Sequence, residues 1–411
     1  MPGTKSGTNR FLVLAAQSTR TVRISHPLWA RDTRLMADGL RALGVDVLIE
    51  DDGTAVVTGP EAGGGIGDPR ERKVDCGNAG TVARFLPPFA ALVHSPSIFD
   101  GDPRMRERPL GPLLDALEVL GARLERNSIG SMPLTVAGPL RGGEVEIDAT
   151  LSSQLVSGLL LSGPGMADGV TVRHIGGSIP SMPHIEMTLE ALRLAGASVT
   201  VEGDACWSVA PGPIALPDVS IEADLSTASA FLAAAAATAG TVILEDWPSE
   251  TTQPGRLLPA LLRQFGCTVD IVGTDLVVKG PDVLDGIDVD LHEYGEVAPT
   301  LTALAVLAKT PTRLRGIAHL RTQETDRLAA LSEEFAKLGA KITVESDGLS
   351  IEPAALHGCA IALDPREDHR LAMAYAVVGL LVDGVSIANI ATTAKTISDF
   401  PERWDAMLGR G

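Results

Sequence analysis

Residues 78–99 read NAGTVARFLPPFAALVHSPSIF, and their layout decides the fold. A polar entry comes first. An apolar run follows that suits a buried helix, then a short turn and a close suited to a strand. The same layout returns from Thr8 (TNRFLVLAAQSTRTVRI), Ser152 (SSQLVSGLLLSGPGMADGVTV), Ser226 (STASAFLAAAAATAGTVIL), Glu296 (EVAPTLTALAVLAKTPTRLRGI) and Asp368 (DHRLAMAYAVVGLLVDGVSI). The starting points lie 70 to 74 residues apart, so the chain is a sixfold repeat.

A second pattern fills the gaps: an amphipathic helix, a glycine, and a two-strand ribbon ending near proline. RDTRLMADGLRALGVDVLIEDDGTAVVTGP (31–60) and DRLAALSEEFAKLGAKITVESDGLSIEP (326–353) are two copies, with others at 108–139, 184–213 and 256–281. Their apolar residues fall at i, i+3, i+4 and i+7, and the glycine sits where a helix C-cap belongs. A last helix, DFPERWDAML (399–408), ends without its ribbon. Each repeat predicts a βαβαββ unit, and the fold class is α/β. Six units exceed one comfortable core. The segment LPDVSIEADLSTASA (216–230) falls midway, which places a boundary near residue 220. The expectation is an N-terminal lobe of three units over 6–220, a second over 221–411 whose last unit lacks its strands, and residues 1–5 as a crossover.

The 411 residues are 45% hydrophobic but only 3% aromatic, so the cores must be Leu, Val, Ile and Ala. A net charge of −18 argues against general nucleic-acid or anionic-membrane binding and confines any basic site to a local cluster. Cys76, Cys206, Cys267 and Cys359 form no C-x-x-C pair and read as reduced thiols. No histidine pair has metal-ligand spacing, so no metal site is indicated. GGGIGDPR (63–70) has neither dinucleotide- nor phosphate-loop spacing and reads as a hairpin turn. The start lacks a signal-peptide layout, and the apolar stretch 230–244 is too short and Ala-rich to span a bilayer. A soluble cytoplasmic protein is expected.

The cations sit in unusual places. Arg10, Arg84, Arg327 and Arg370 fall at or within the first turn of a predicted helix, and Lys5 and Lys395 precede one. A helix amino end disfavours a cation by about 0.3–1 kcal/mol and welcomes an anion. One such residue is an ordinary surface arginine, but the recurrence at equivalent points of the repeat predicts a cleft between lobes that binds phosphate and carboxylate groups. Ser6, Asn78, Thr81, Ser152, Ser153, Gln154, Ser181, Glu296, Glu324 and Asp326 cluster at the same places. Thr8, Ser226 and Thr325 read as N-caps. Ser152, Ser153 and Gln154 offer more side chains than one cap uses. Glu296 and Glu324 are candidate proton-transfer groups, whereas His369 reads as structural.

PGTKSGTNR (2–10), GNAGTVARF (77–85), GDPRMRERPLGPLLDAL (101–117), SSQLVSGLLL (152–161), PSMPHIEMTL (180–189), QETDRLAAL (323–331), DHRLAMA (368–374) and ATTAKT (391–396) carry a resemblance. In this order, over nearly the whole chain, they resemble the 5-enolpyruvylshikimate-3-phosphate synthase family, most of all its actinobacterial branch. The resemblance implies a two-lobed inside-out α/β barrel of six βαβαββ units with the active site in the inter-lobe cleft. It also implies no cofactor and a monomer. The implied reaction moves the enolpyruvyl group of phosphoenolpyruvate to the 5-hydroxyl of shikimate 3-phosphate and releases phosphate.

By resemblance, Lys5, Asn78, Gly80, Thr81, Arg84, Arg104, Gln154, Arg327, Arg370 and Lys395 hold phosphoenolpyruvate. Lys5, Ser6, Arg10, Ser152, Ser153, Gln154, Ser181, Glu296, His319 and Gln323 hold shikimate 3-phosphate. Lys5, Glu296 and Glu324 are the implied catalytic groups, Glu296 at a position where most relatives have aspartate. A small residue at Gly80 implies room for glyphosate, a competitor of phosphoenolpyruvate. Gln323 and His319 replace a common lysine and asparagine, and His184 a common tyrosine. Relatives carry a strand before PGTKS that should complete the unit of the 399–408 helix. Two other readings stay open at this point. One is a related carboxyvinyl transferase with another acceptor, although the C-A-I-G-A-R-P loop of the UDP-N-acetylglucosamine enzymes is absent. The other is a non-catalytic binding protein.

Overall fold

The computed structural model describes residues 1–59, 72–127 and 130–410, so the turn expected at 63–70 lies outside the described residues. The chain divides into two compact units: Pro2–Glu222, and Ala223–Gly411 together with Met1. Residues 2–5, expected in a crossover, and 221–222, expected in the second lobe, fall in the first unit.

The first unit carries helices α1 (Lys5–Ala15), α2 (Arg31–Ala42), α3 (Gly80–Ala90), α4 (Gly111–Val119), α5 (Gln154–Ser162) and α6 (Pro183–Leu194). Its strands are β1 (Val22–Ser25), β2 (Asp46–Ile49), β3 (Ala55–Thr58), β4 (Arg72–Asp75), β5 (Ser97–Asp100), β6 (Arg123–Arg126), β7 (Leu134–Ala137), β8 (Gly143–Ile147), β9 (Val170–His174), β10 (Val199–Glu202), β11 (Cys206–Val209) and β12 (Val219–Ser220). They form three mixed sheets, ordered β12-β1-β3-β2, β4-β5-β7-β6 and β10-β11-β9-β8. In each, one parallel pair is extended by an antiparallel hairpin. Parallel neighbours need a crossover, which α3 supplies between β4 and β5 and α5 between β8 and β9. β12 instead comes from the far end of the unit to pair with β1, Ile24 opposite Val219.

The second unit carries α7 (Leu225–Thr238), α8 (Leu258–Gln264), α9 (Ala298–Leu307), α10 (Arg327–Ala336), α11 (His369–Val378) and α12 (Phe400–Met407). Its strands are β13 (Thr241–Leu244), β14 (Thr268–Val272), β15 (Asp275–Lys279), β16 (Asp288–Asp290), β17 (Thr312–Arg315), β18 (Lys341–Val344) and β19 (Leu349–Glu352). The sheets run β13-β15-β14 and β16-β17-β19-β18. The copy that begins at Asp368 forms α11, a parallel bridge between Leu363 and Ile387, and α12, with no hairpin among the described residues. Among the described residues no parallel strand pairs with β13, whereas the sequence placed a gap only at the 399–408 helix.

Each unit has its own apolar core, one drawn from Leu12 to Ile221 and the other from Ala228 to Trp404. The apolar helices of the first pattern fill them. α1, α3 and α5 pack on one another, as do α7, α9 and α11, and α3, α5 and α9 are buried on nearly every side. The amphipathic helices bury one stripe, and a left-handed glycine follows α2, α4, α6 and α8 at Gly44, Gly121, Gly196 and Gly266.

The N-caps differ from expectation. α1 begins at Lys5, so Thr8 lies inside it, donating its hydroxyl to Thr4 O and accepting from Leu28 N–H. Asp224 caps α7 in place of Ser226, and Asp326 caps α10 in place of Thr325, each accepting a backbone N–H three residues on. A carboxylate reaches that donor as well as a hydroxyl does, and its charge also suits the helix dipole.

Candidate active site

In the first unit the amino ends of α1, α3 and α5 meet. Asn9 Nδ2 on α1 donates to Thr81 Oγ1 on α3 at 2.6 Å. At Gly80, the first residue of α3, a Cβ would lie 2.6 Å from Arg108 Nη2, 2.9 Å from Arg84 Nη1 and 3.1 Å from Gln154 Oε1, the last at the start of α5. Two guanidinium groups and an amide oxygen therefore crowd a backbone that glycine alone leaves open. Arg84 is the fifth helical residue, not a first-turn residue as expected. Helical side chains lean toward the amino end, and its Nη1 reaches back to donate to Gly80 O at 3.1 Å. Arg84 is 3% exposed. Burial, then the neighbouring Arg108 charge, pulls its pKa well below the usual arginine value. The opposite charge of a bound anion would offset both effects.

Arg108, which the sequence reading missed, donates from Nη1 to Asn78 O at 3.0 Å and Asn78 Oδ1 at 3.3 Å. Lys5, the first residue of α1, bonds Asp32 Oδ2 at 3.1 Å, and Asp32 was also missed. Ser152 Oγ accepts from Gln154 N–H, Ser153 is buried at the N-cap of α5, and Ser181 is buried with a left-handed φ of 56°. Ser6 is half-buried on α1. Arg104 pairs with Glu107 at 2.8 Å.

Arg10 corrects the charge pattern. With α1 starting at Lys5 it lies in the second turn, where the dipole is weak, and the residue is 1% exposed. It donates to Thr188 Oγ1, Ser6 O, Ser157 Oγ and His184 O, with Phe85 beneath its plane. These bonds tie α1 to α5 and α6.

The second unit gathers the other candidates. Arg327, first in α10, is buried and forms a 2.7 Å ion pair from Nε to Asp368 Oδ2. Burial pulls the arginine pKa down, but Asp368 and Glu324 outweigh it and hold the charge. Burial likewise pushes Asp368 up, and Arg327 brings it below the ordinary carboxylate range. Asp368 caps α11, accepting from Arg370 N–H, while Arg370 Nη1 donates to Glu296 O at 3.2 Å. Lys395 Nζ lies 3.0 Å from Glu324 Oε2, and His369 Nδ1 lies 3.3 Å from the same oxygen. Glu324 thus has two neighbours able to exchange a proton with it, and His369, read as structural, is one of them. Gln323 is half-buried beside Glu324. His319 is buried near His292, and burial, with that second ring, lowers its pKa to about 4.

Glu324, Asp368 and His369 offer ligand atoms within 4.8 Å of one another. Arg327 and Lys395 already neutralise the two carboxylates, so this donor set suits a fixed ion-pair network better than a divalent cation. The sequence singles out Arg84 and Arg327 as cations near a helix start, and both are buried. It does not single out Arg108, Asp32 and Asp368, because they enter as partners from other elements.

A profile described as EPSP synthase (3-phosphoshikimate 1-carboxyvinyltransferase) matches residues 1–404. The 3-phosphoshikimate 1-carboxyvinyltransferase of Kocuria rhizophila is 47% identical over 421 aligned positions, covering 100% of this chain and 93% of the relative. Among solved structures, EPSP synthase of Acinetobacter baumannii superposes with a TM-score of 0.78 at 24% identity, over 99% of this chain and 94% of that one. The enolpyruvyl transferase NikO of Streptomyces tendae gives 0.76 at 19% identity, over 99% and 93%. These two likenesses carry the fold alone. The profile match and the full-length relative together show that the chain belongs to the EPSP synthase (3-phosphoshikimate 1-carboxyvinyltransferase) family.

Proposed function

We propose that the chain transfers the enolpyruvyl group of phosphoenolpyruvate to the 5-hydroxyl of shikimate 3-phosphate, releasing inorganic phosphate. The observation that carries this reading is Arg84, a buried cation at Gly80 whose charged neighbour is another cation, Arg108. Such a group is costly until an anion arrives, and the enolpyruvyl donor is a compact multiple anion.

Lys5, Asn78, Gly80, Thr81, Arg84, Arg104, Gln154, Arg327, Arg370 and Lys395 hold phosphoenolpyruvate. Lys5, Ser6, Arg10, Ser152, Ser153, Gln154 and Ser181, with Glu296, His319 and Gln323, hold shikimate 3-phosphate. Arg10 does so chiefly by fixing α1 and Ser6, since its own donors serve protein acceptors. Glu296 takes the proton of the 5-hydroxyl as that oxygen bonds C2 of phosphoenolpyruvate, and Glu324 gives a proton to C3. In the tetrahedral adduct Lys5 protonates the departing phosphate, and Glu324, now deprotonated, takes a proton from C3 as the double bond is restored. The fixed cations act by stabilising charge that grows in this adduct. No metal or organic cofactor takes part. The protein acts as a cytoplasmic monomer, and glyphosate competes with phosphoenolpyruvate at Gly80. No helix among the described residues is long and apolar enough to cross a membrane.

The test is an acceptor panel. Phosphate release from phosphoenolpyruvate is expected with shikimate 3-phosphate, and neither unphosphorylated shikimate nor UDP-N-acetylglucosamine should replace it. Release with UDP-N-acetylglucosamine in preference would move the assignment to another acceptor. Binding of both substrates without release would make the protein a non-catalytic binder.

A further inference from the structure

Helix α10 grips the approach to α11 at two points. At its amino end Arg327 holds Asp368. Seven residues on, Glu334, 3% exposed, holds the preceding loop: its Oε2 accepts from Asp364 N–H at 2.9 Å and from Lys337 Nζ at 2.5 Å. The Arg366 guanidinium comes within 3.6 Å of Glu334 Oε1 and bonds Glu333. Between the grips lie Arg366 and Glu367, with φ of 50° and 57°, consecutive non-glycine residues in the left-handed region. Side chains disfavour that region, so the loop keeps its shape only if something holds it. Asp364 Oδ1 takes Arg366 N–H and Pro365 O takes Asp368 N–H, so the held loop ends with Asp368 in register.

We propose that Glu334 is a positioning residue: by anchoring Asp364 and Arg366 it holds the left-handed turn at 366–367, and through it fixes Asp368, Arg327 and Arg370 for the anion. Glu334 touches no substrate. The link from this clamp to turnover rests on the function proposed above, but the clamp itself is a property of the fold.

Glu334→Ala is expected to raise the KM for phosphoenolpyruvate about 10-fold or more and leave that for shikimate 3-phosphate within about 3-fold. A purely structural loss would lower the active fraction and leave both KM values alone. Glu334→Gln keeps an acceptor for Asp364 N–H but loses the charge, and should raise the same KM about 3-fold. Glu367→Gly adopts the left-handed turn without strain. Alone it should change neither KM, and in the Glu334→Ala background it should restore most of the lost affinity.

A second readout needs no substrate: the Arg327 Nε–H resonance, protected by its bond to Asp368, should lose protection in Glu334→Ala and regain it in the double variant. Unchanged KM and unchanged protection in both single Glu334 variants would overturn the proposal, and so would a KM rise that Glu367→Gly does not relieve. If wild type itself released no phosphate, the functional reading would fail and the resonance would still decide the clamp.

Discussion

On the proposed function, Arg84 concentrates the binding chemistry in one side chain. A buried guanidinium beside another cation lowers stability in the free protein and gains from an anion. Arg84→Met should therefore unfold at no lower temperature than wild type when unliganded, while its KM for phosphoenolpyruvate rises at least about 100-fold, near 2.7 kcal/mol. A midpoint well below wild type, with KM unchanged, would mean that the arginine serves packing and not binding. His319 makes a pH-dependent contribution. Its pKa falls from 6.5 to about 4 on folding. Above pH 7 the ring is neutral in both states and contributes nothing. As pH falls through 6.5 the unfolded ring takes its proton first, so stability declines until about pH 4. The total is about 3 kcal/mol at most, from ~1.4 kcal/mol per unit. Denaturant unfolding of His319→Asn should lose less stability than wild type between those pH values. Parallel curves would show that the ring is solvated.

At the scale of elements, α3 carries the largest constraint. Pro87 and Pro88 lie inside it, and Pro88 brings no N–H to the Arg84 carbonyl. α5 lays Gly158 against that carbonyl, where a Cβ would stand 2.2 Å from the oxygen. Backbone cannot yield as a flexible side chain can. Gly158→Ala should therefore cost about 3 kcal/mol or more and blunt activity by shifting Arg84. A thermal midpoint within a degree of wild type would contradict this packing. Periodicity made the apolar helices, the left-handed glycines and most hairpins legible in the sequence. The caps were less so, because Asp224 and Asp326 compete with adjacent hydroxyls and only geometry selects between them. β12 was hidden for a different reason: a two-residue strand pairing with β1 nearly two hundred residues away leaves no local pattern.

At the scale of the molecule, the sixfold repeat yields, among the described residues, two apolar cores and five sheets, and the last copy lacks a hairpin. Against a net charge of −18 the buried Arg10, Arg84, Arg108 and Arg327 stand out. The sequence singled out Arg84 and Arg327 by their place near a helix start, although Arg84 stands in the second turn and only Arg327 opens its helix. It could not point to Arg108 and Asp368, whose roles arise only when separate elements pack. The central claim is that the chain couples phosphoenolpyruvate to shikimate 3-phosphate. Phosphorus NMR of the purified protein with both compounds tests it most directly. Inorganic phosphate and a new sugar-phosphate signal should grow in equal amounts, and neither should appear when shikimate 3-phosphate is omitted. Phosphate that grows without the acceptor, or an acceptor signal left unchanged while phosphoenolpyruvate is consumed, would contradict the claim.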